Sequence, residues 1–570
     1  IARAIAYDEL QFFGCRDHLT IQRGAGQHGV GIRKKPDELL AGKGGSMRRN
    51  HNFMTGQQAE AIRGDAIGDD DFCHKKSFLF LAPDTCRTML RATEAPRKGE
   101  ACGGVRRGTL YAKPNGGDGM QQKTFWMHRE QQEYPILRGR HSADAAVVGG
   151  GLTGLMTALW LSRAGLRVAL VEAVRLGSGA SGCCAGVASL CGGMRYARVE
   201  KQLGAGAAGA YAQTLSGAFR ALRELAREQG PSSGWRDADV RVVTEKDGGM
   251  RMLEREAQAM MRAGVAATVG APSLCPLPAA AALTVKDMGM LNPARFLRYL
   301  AAQAARNGVK IYEGSRATSL ETNMVHTERG SIQAPYIMIA TGYPIVNTPG
   351  WYFLRMQQRQ GWLMPLEATA RFEGIYLDAD GRYALRNLHD GALFQLNGGP
   401  VGARENRSAL ETFRRTYAPA LGCGEPAGVY GGAECVTADG LPFIGPYSRK
   451  TPNLFVAGGY GGQGLIGAML AAQIISARVL GLPGEGYDLY CGQRGGVTPR
   501  FLLGLAGRYA GGLAARHWAP RCPHMGCRLV YDAQARIWEC PCHGSRFDDI
   551  GRVLSGPAVH DAQVRRGNGR

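Results

Sequence analysis

The residues whose types and spacing most clearly carry chemistry are Cys522 and His524 in CPHMGC and Cys540 and His543 in CPCHGS. Together they make a Cys-x-His…Cys-x-x-His pattern. Two thiolates and two imidazoles satisfy a tetrahedral zinc ion. The same donors also hold a [2Fe-2S] cluster, with the thiolates on one iron and the imidazoles on the other, and neutral imidazoles raise its potential above that of an all-cysteine cluster. The second reading means one-electron chemistry.

A second constellation lies far upstream. A strand is expected over Ala143–Val148, followed by GGGLTGLMTALWLSRAG, a helix from near Leu152, and a second strand over Arg167–Val171 that ends at Glu172. This is a complete βαβ unit carrying a glycine fingerprint. Gly149 permits the tight turn, Gly151 lets a pyrophosphate approach the backbone, and Gly154 lets the helix pack on the strand. The phosphates would lie at the positive end of the helix, beside Leu152 and Thr153. Glu172 stands where an acid accepts hydrogen bonds from a ribose 2′-hydroxyl, which favours FAD or NAD over NADP.

Later segments choose between the two. After an expected helix over Pro293–Asn307 come the strand-like VKIYEG and YIMIATGYP, the latter closing on Ala340, Thr341 and Gly342. TADGLPFIGPYS then leads into NLFVAGGYGGQGLIGAMLAAQIISARVLG, a strand, a glycine-rich turn and a long apolar helix. With these segments in this order, the chain from about Met120 to about Arg494 resembles the D-amino-acid-oxidase-like family of FAD-dependent oxidoreductases, which includes the glycine and sarcosine oxidases. The resemblance implies FAD. It implies that the Ala340–Gly342 segment lies beside the adenosine half, and that Asp439–Gly445 and Ala457–Gly464 bring backbone N–H groups to the pyrophosphate, ribityl chain and flavin. Asp439, Gly458, Gly459, Gly462 and Gly464 are the residues singled out there. GSGASG, Gly177–Gly182, is similar to the family's second glycine loop and adds Gly179 and Ser181.

The two boxes near the other end resemble the Rieske [2Fe-2S] proteins. Gly544-Ser545 and Gly556-Pro557-Ala558 match that family, in which the serine bonds a cluster sulfur and the proline loop covers the metal. The resemblance also implies a disulfide between Cys527 and Cys542. GYPIVNTPGWYFLRMQQ, LPFIG and CPCHGSRFDDIGRVLSGPA are similar to bacterial FAD-dependent oxidoreductases that carry a C-terminal Rieske domain.

The fold expected is therefore α/β plus α+β: a Rossmann-like FAD-binding domain interleaved with a sheet-rich capping domain, then a small all-β Rieske domain. Residues 1–119 lack sustained periodicity and are expected to be a non-domain or disordered extension, with Met120 as the natural start. The oxidoreductase part spans 120–494. Its FAD-binding segments fall at about 143–230, 293–347 and 433–480, and its cap at about 235–290 and 348–432. Residues 495–570 form an abbreviated Rieske domain. Fewer than about 30 residues separate Arg494 from Cys522, and GLAGRYAGGLAARHW suits strands poorly, so the supporting base of the cluster domain is expected to be short and the cluster weakly held.

No local motif announces a catalytic acid or base. A pocket at the domain junction is expected, and in relatives with amino-acid substrates an arginine from the cap clamps the carboxylate in bidentate fashion. Arg355 and Arg386 are the candidate clamps, with Tyr343, Tyr352 and His389 as nearby polar groups. Cys183 and Cys184 follow the second glycine loop and are read as a small buried thiol pair. The activity expected is oxidation of a small amine or amino-acid-like substrate by hydride transfer to flavin, with electrons leaving through the cluster to a one-electron acceptor. An electron-transfer module serving a partner enzyme, or a plain oxidase with a vestigial cluster fold, are the alternatives.

Composition narrows the partners. The 570 residues carry a formal net charge of +21, but the arginines are scattered and no stripe interleaves them with aromatics, which speaks against nucleic acid. The 15 cysteines show no repeating framework. No leader-like segment and no apolar run of about 18 residues appears, so a cytoplasmic protein without a transmembrane segment is expected.

Overall fold

The computed structural model describes residues 125–126 and 133–564, with breaks at 273, 348, 368–371, 390, 404–405, 407, 496, 515–518 and 534. The expected extension 1–119 and the start at Met120 lie outside the described residues.

The glycine fingerprint belongs to a six-stranded sheet ordered Phe443–Ser448, Thr451–Gly458, Tyr336–Gly342, Ala145–Val148, Val168–Val171 and Lys310–Tyr312. All neighbours pair in parallel except the first two, which are antiparallel. Ala145–Val148 and Val168–Val171 are apolar and buried throughout, as parallel strands covered on both faces must be. The first begins two residues later than expected. Asp144 instead binds the backbone N–H and the guanidinium of Arg167.

The helix Leu152–Arg163 follows at once and packs against Gly464–Val479. Both are apolar nearly all round, so both are buried. The long helix Ala205–Glu228 covers the second of them. Pro293–Arg306 starts where Asn292 Oδ1 accepts from the backbone of Ala294 and Arg295, with Pro293 in the first turn.

A larger sheet stands beside it in the order Tyr430–Thr437, Met356–Leu366, Gly391–Pro400, Tyr383–Leu388, Ile375–Asp378, Arg236–Thr244, Ala281–Met290 and Val187–Ala188, with Thr268–Gly270 pairing off this path. Its strands come mainly from 236–290 and 356–437. Tyr383, Phe394, Phe413 and Tyr417 pack ring against ring on one face.

The last sheet is small and antiparallel: Val530–Asp532, Ile537–Glu539, Arg546–Phe547 and Val553–Ser555. Ahead of it, the segment unsuited to strands forms the helix Pro499–Ala514, as its leucines and alanines favour. Among the described residues no further sheet supports this domain. Gln358 Nε2 instead donates to the carbonyls of His543 and Gly556 at 2.8 and 2.9 Å, and Arg316 Nη2 to that of Val553 at 3.0 Å. The oxidoreductase part supplies the base that looked short in sequence.

Candidate cofactor and redox site

The glycine turn is built by close approach. Gly149 has φ +113°, and a Cβ there would stand 2.5 Å from Ala340 O, so the turn lies directly on the Tyr336–Gly342 strand. A Cβ on Gly154 would meet Gly149 O at 1.8 Å, so only glycine lets the helix sit this close to its own turn. Ser181 Oγ accepts from Leu152 N at 3.0 Å and draws the second glycine loop over the helix N-terminus. Glu172 accepts from the N–H groups of Gly150 and Val174 at 2.7 and 2.9 Å. Burial pushes its carboxyl up, while these bonds and Arg316 oppose the shift.

These groups open on a cavity of about 820 Å³, toward the upper end of ordinary ligand pockets. Gly149, Gly151, Leu152, Thr153, Glu172, Gly179, Ser181, Ala340, Thr341, Gly342, Gly459, Gly462 and Gly464 all line it. At Gly179, Gly342 and Gly464 nothing stands within 4 Å of where a Cβ would be. Bare backbone at a helix N-terminus, an acid at the end of the second strand and a cavity of this volume fit a dinucleotide.

Three of the residues singled out do not line the cavity. Gly154 packs the helix, and a Cβ on Gly458 would stand 2.7 Å from Gly342 O. Asp439 forms a two-oxygen ion pair with Arg494 at 2.7 and 3.0 Å and accepts from Leu441 N, so its carboxylate is committed to a turn rather than to a cofactor.

The two clamp candidates are also placed elsewhere. Arg355 donates to the carbonyls of Gly350 and Gly492, both at 2.7 Å, and stacks over Tyr352 and Phe443. Arg386 is buried, bonds the carbonyls of Gly186 and Leu291, and lies over the Trp126 ring. Both guanidiniums donate to backbone carbonyls, each keeps a buried Nε without a partner, and neither lines the cavity. Tyr352 bonds Tyr447 O, and His389 is exposed outside the cavity. Tyr343 does line it, with its hydroxyl buried and unpartnered.

Sequence reasoning missed Arg359 and Glu434. They face each other across neighbouring strands, and both line the cavity. Burial pushes the Glu434 carboxyl up, against the attraction of Arg359 and Arg195 and a hydrogen bond from Gly462 N–H. The available signal was the alternation in MQQRQG, where Gln358 and Gln360 are buried and Arg359 between them is not. Cys183 and Cys184 line the cavity as free thiols, and burial holds Cys183 up at about 12, the condition of an unreactive cysteine.

The metal-ligand boxes fold into two matching tight loops. Cys522 N donates to Cys527 O and Gly526 N to Cys522 O, while Cys540 N donates to Ser545 O and Gly544 N to Cys540 O. Cys522 and Cys540 are fully buried. The rings of His524 and His543 stand 5.0 Å apart, edge to face. His524 Nε2 donates to Asn347 Oδ1 at 2.6 Å, which leaves Nδ1 with a lone pair and no partner. His543 is 3% exposed, and neither of its ring nitrogens has a partner. Burial lowers the two imidazoles to about 4 and about 3. Two buried thiols and two imidazoles with unpartnered nitrogens, carried on the same two loops, supply the donor set of a two-plus-two metal centre, since unpaired buried nitrogens are otherwise costly. The sulfurs that stand together among the described residues, Cys527, Cys540 and Cys542, include one of the four.

One expectation is corrected here. Cys527 and Cys542 are free thiols, with the sulfurs of Cys527, Cys540 and Cys542 all within 4.8 Å of one another, not at the roughly 2.0 Å of a bond. The proximity is as expected, the covalent link is not present.

Comparison with known proteins accords with both halves. The FAD dependent oxidoreductase family model matches residues 144–478, and the Rieske [2Fe-2S] domain model matches 514–565. YhfW of Bacillus subtilis (strain 168), named as a Rieske 2Fe-2S iron-sulfur protein, is 24% identical over 489 residues, covering 77% of this chain and 96% of its own. Among solved structures, glycine oxidase from Geobacillus kaustophilus superposes with a TM-score of 0.53 at 20% identity, over 62% of this chain and 99% of its own. L-proline dehydrogenase from P. horikoshii gives 0.53 at 17% identity, over 63% and 98%. The family match spans more than half of the sequence, and the likeness to solved structures carries the fold. FAD and a [2Fe-2S] cluster are the cofactors these two domains imply. The chain belongs to the FAD dependent oxidoreductase family and carries a Rieske [2Fe-2S] domain after its flavin-binding part.

Proposed function

We propose that the protein dehydrogenates a small amine or amino-acid-like substrate and passes the electrons through its own Rieske centre to an external one-electron acceptor. When bound, the flavin supplies two-electron hydride acceptance and the cluster supplies one-electron exchange. The observation that carries this reading is a shared wall: Gly556 and Ala558, which line the cavity, belong to the loop that Ser545 Oγ ties to the metal site by accepting from Ala558 N at 3.0 Å.

Arg359 binds and orients the substrate carboxylate with paired N–H groups. Glu434, beside it and pushed up by burial, receives the ammonium proton at its carboxylate, so that the amine nitrogen is neutral when the C–H bond breaks.

The test is anaerobic mixing of the FAD- and iron-loaded chain with glycine, sarcosine, proline and simple primary amines. Loss of flavin absorbance together with the electron paramagnetic resonance signal of a reduced cluster is the expected result. Flavin reduction beside an untouched oxidised cluster would overturn the relay, and no reduction by any of them would overturn the substrate class. Arg359→Gln should raise KM for carboxylate substrates about 10- to 100-fold, the effect of one lost charge-assisted hydrogen bond.

A further inference from the structure

Arg546 follows the second ligand loop, on the strand Arg546–Phe547, and is 4% exposed. Its Nε donates to Glu539 Oε1 at 2.9 Å. Among the described residues its two terminal Nη groups have no partner, although the residue lines the same cavity as the glycine fingerprint. Unlike the unpartnered guanidinium nitrogens of Arg355 and Arg386, these Nη groups are not enclosed; they open on the cavity and can donate to a group bound there. Around it Leu554, Ser555, Gly556, Ala558 and Val559 complete a stretch of cavity wall made wholly by the Rieske domain. The wall is fixed in place: Arg316, attracted to Glu172, holds Val553 O, and Gln358 holds His543 O and Gly556 O.

We propose that the Rieske domain is part of the FAD site, with Arg546 donating its Nη hydrogens to acceptor oxygens of the bound cofactor. The inference rests on the reading of the cavity as a flavin site. The other available anion is a substrate carboxylate. Position favours the cofactor: the Rieske wall that carries Arg546 is tied through Arg316 to Glu172 beside the glycine turn, whereas Arg359 and Glu434 lie together on the larger sheet.

The experiment is titration of the full, iron-loaded chain with FAD, read by quenching of flavin fluorescence, alongside iron content and the cluster's magnetic resonance signal. Arg546→Gln should raise the FAD dissociation constant about 10- to 100-fold at unchanged iron content. Glu539→Gln removes the ion pair but keeps the guanidinium, and should leave FAD affinity near that of the parent. Equal weakening by both variants would make the effect one of packing and overturn the proposal. Unchanged FAD affinity in Arg546→Gln with weaker perturbation of the flavin spectrum by acetate would reassign the arginine to substrate, and also overturn it. Should Arg546→Gln lose its iron, Arg546→Lys decides: weaker FAD binding supports the assignment and parental affinity overturns it. A parent chain that binds no FAD would instead sink the flavin reading beneath it.

Discussion

Asn347 shows how much a single side chain outside the two ligand boxes can decide. Its amide oxygen takes the Nε2 proton of His524, so the tautomer is fixed and Nδ1 is the nitrogen left for iron. Asn347→Leu removes that acceptor and should lower metal affinity about 10- to 100-fold, seen as fewer irons per chain when iron is limiting. Gly154 makes a steric decision instead. Gly154→Ala would put a methyl 1.8 Å from Gly149 O and should cost about 1–3 kcal/mol of stability, measured by urea unfolding, with FAD binding weakened in parallel. The glycines, Glu172 and the four metal ligands were legible in the sequence because their chemistry demands fixed local spacing. Arg359 was not, because which face of a strand meets a cavity is settled by partners far along the chain. Arg355 and Arg386 were misleading for the same reason: the chain folds them against backbone carbonyls and away from the cavity.

At the scale of elements, charge is used to close helices that have no cap of their own. The helix Tyr196–Leu203 has no side-chain cap, and Glu256 on the neighbouring helix Gly249–Arg262 accepts from Tyr196 N and Ala197 N, both at 2.9 Å. Burial pushes this carboxyl up despite the two bonds. The folded state therefore binds the proton more tightly than the unfolded chain, so Glu256 contributes a loss of stability as pH rises from below the ordinary value of 4.5 through its folded value. Glu256→Gln should abolish that slope, which urea midpoints measured between about pH 4 and about pH 7 would show. Parallel strands and their helices were readable from apolar runs and glycine turns. The helix Pro499–Ala514 was not expected, since glycines at 504, 507, 511 and 512 dilute its pattern.

Over the whole molecule, the cluster domain is completed by residues from the oxidoreductase part. Asn347, Gln358 and Arg316 bond it, and Phe353 and Tyr343 pack their rings toward His543. Contacts that span from 177 to 237 residues in sequence leave no local trace, which is why the domain looked abbreviated. A fragment covering 495–564 alone should fail to keep its cluster, while the full chain keeps it, as visible absorption and iron content would report. Among the described residues no helix is long and apolar enough to cross a membrane.

The strand Met356–Leu366 serves both sites at adjacent residues: Gln358 and Arg359 line the cavity, and Gln358 also holds His543 O and Gly556 O of the Rieske domain. A single inserted or deleted residue ahead of this pair would turn both side chains to the opposite face. Substrate recognition and cluster anchoring would then fail in the same mutational event.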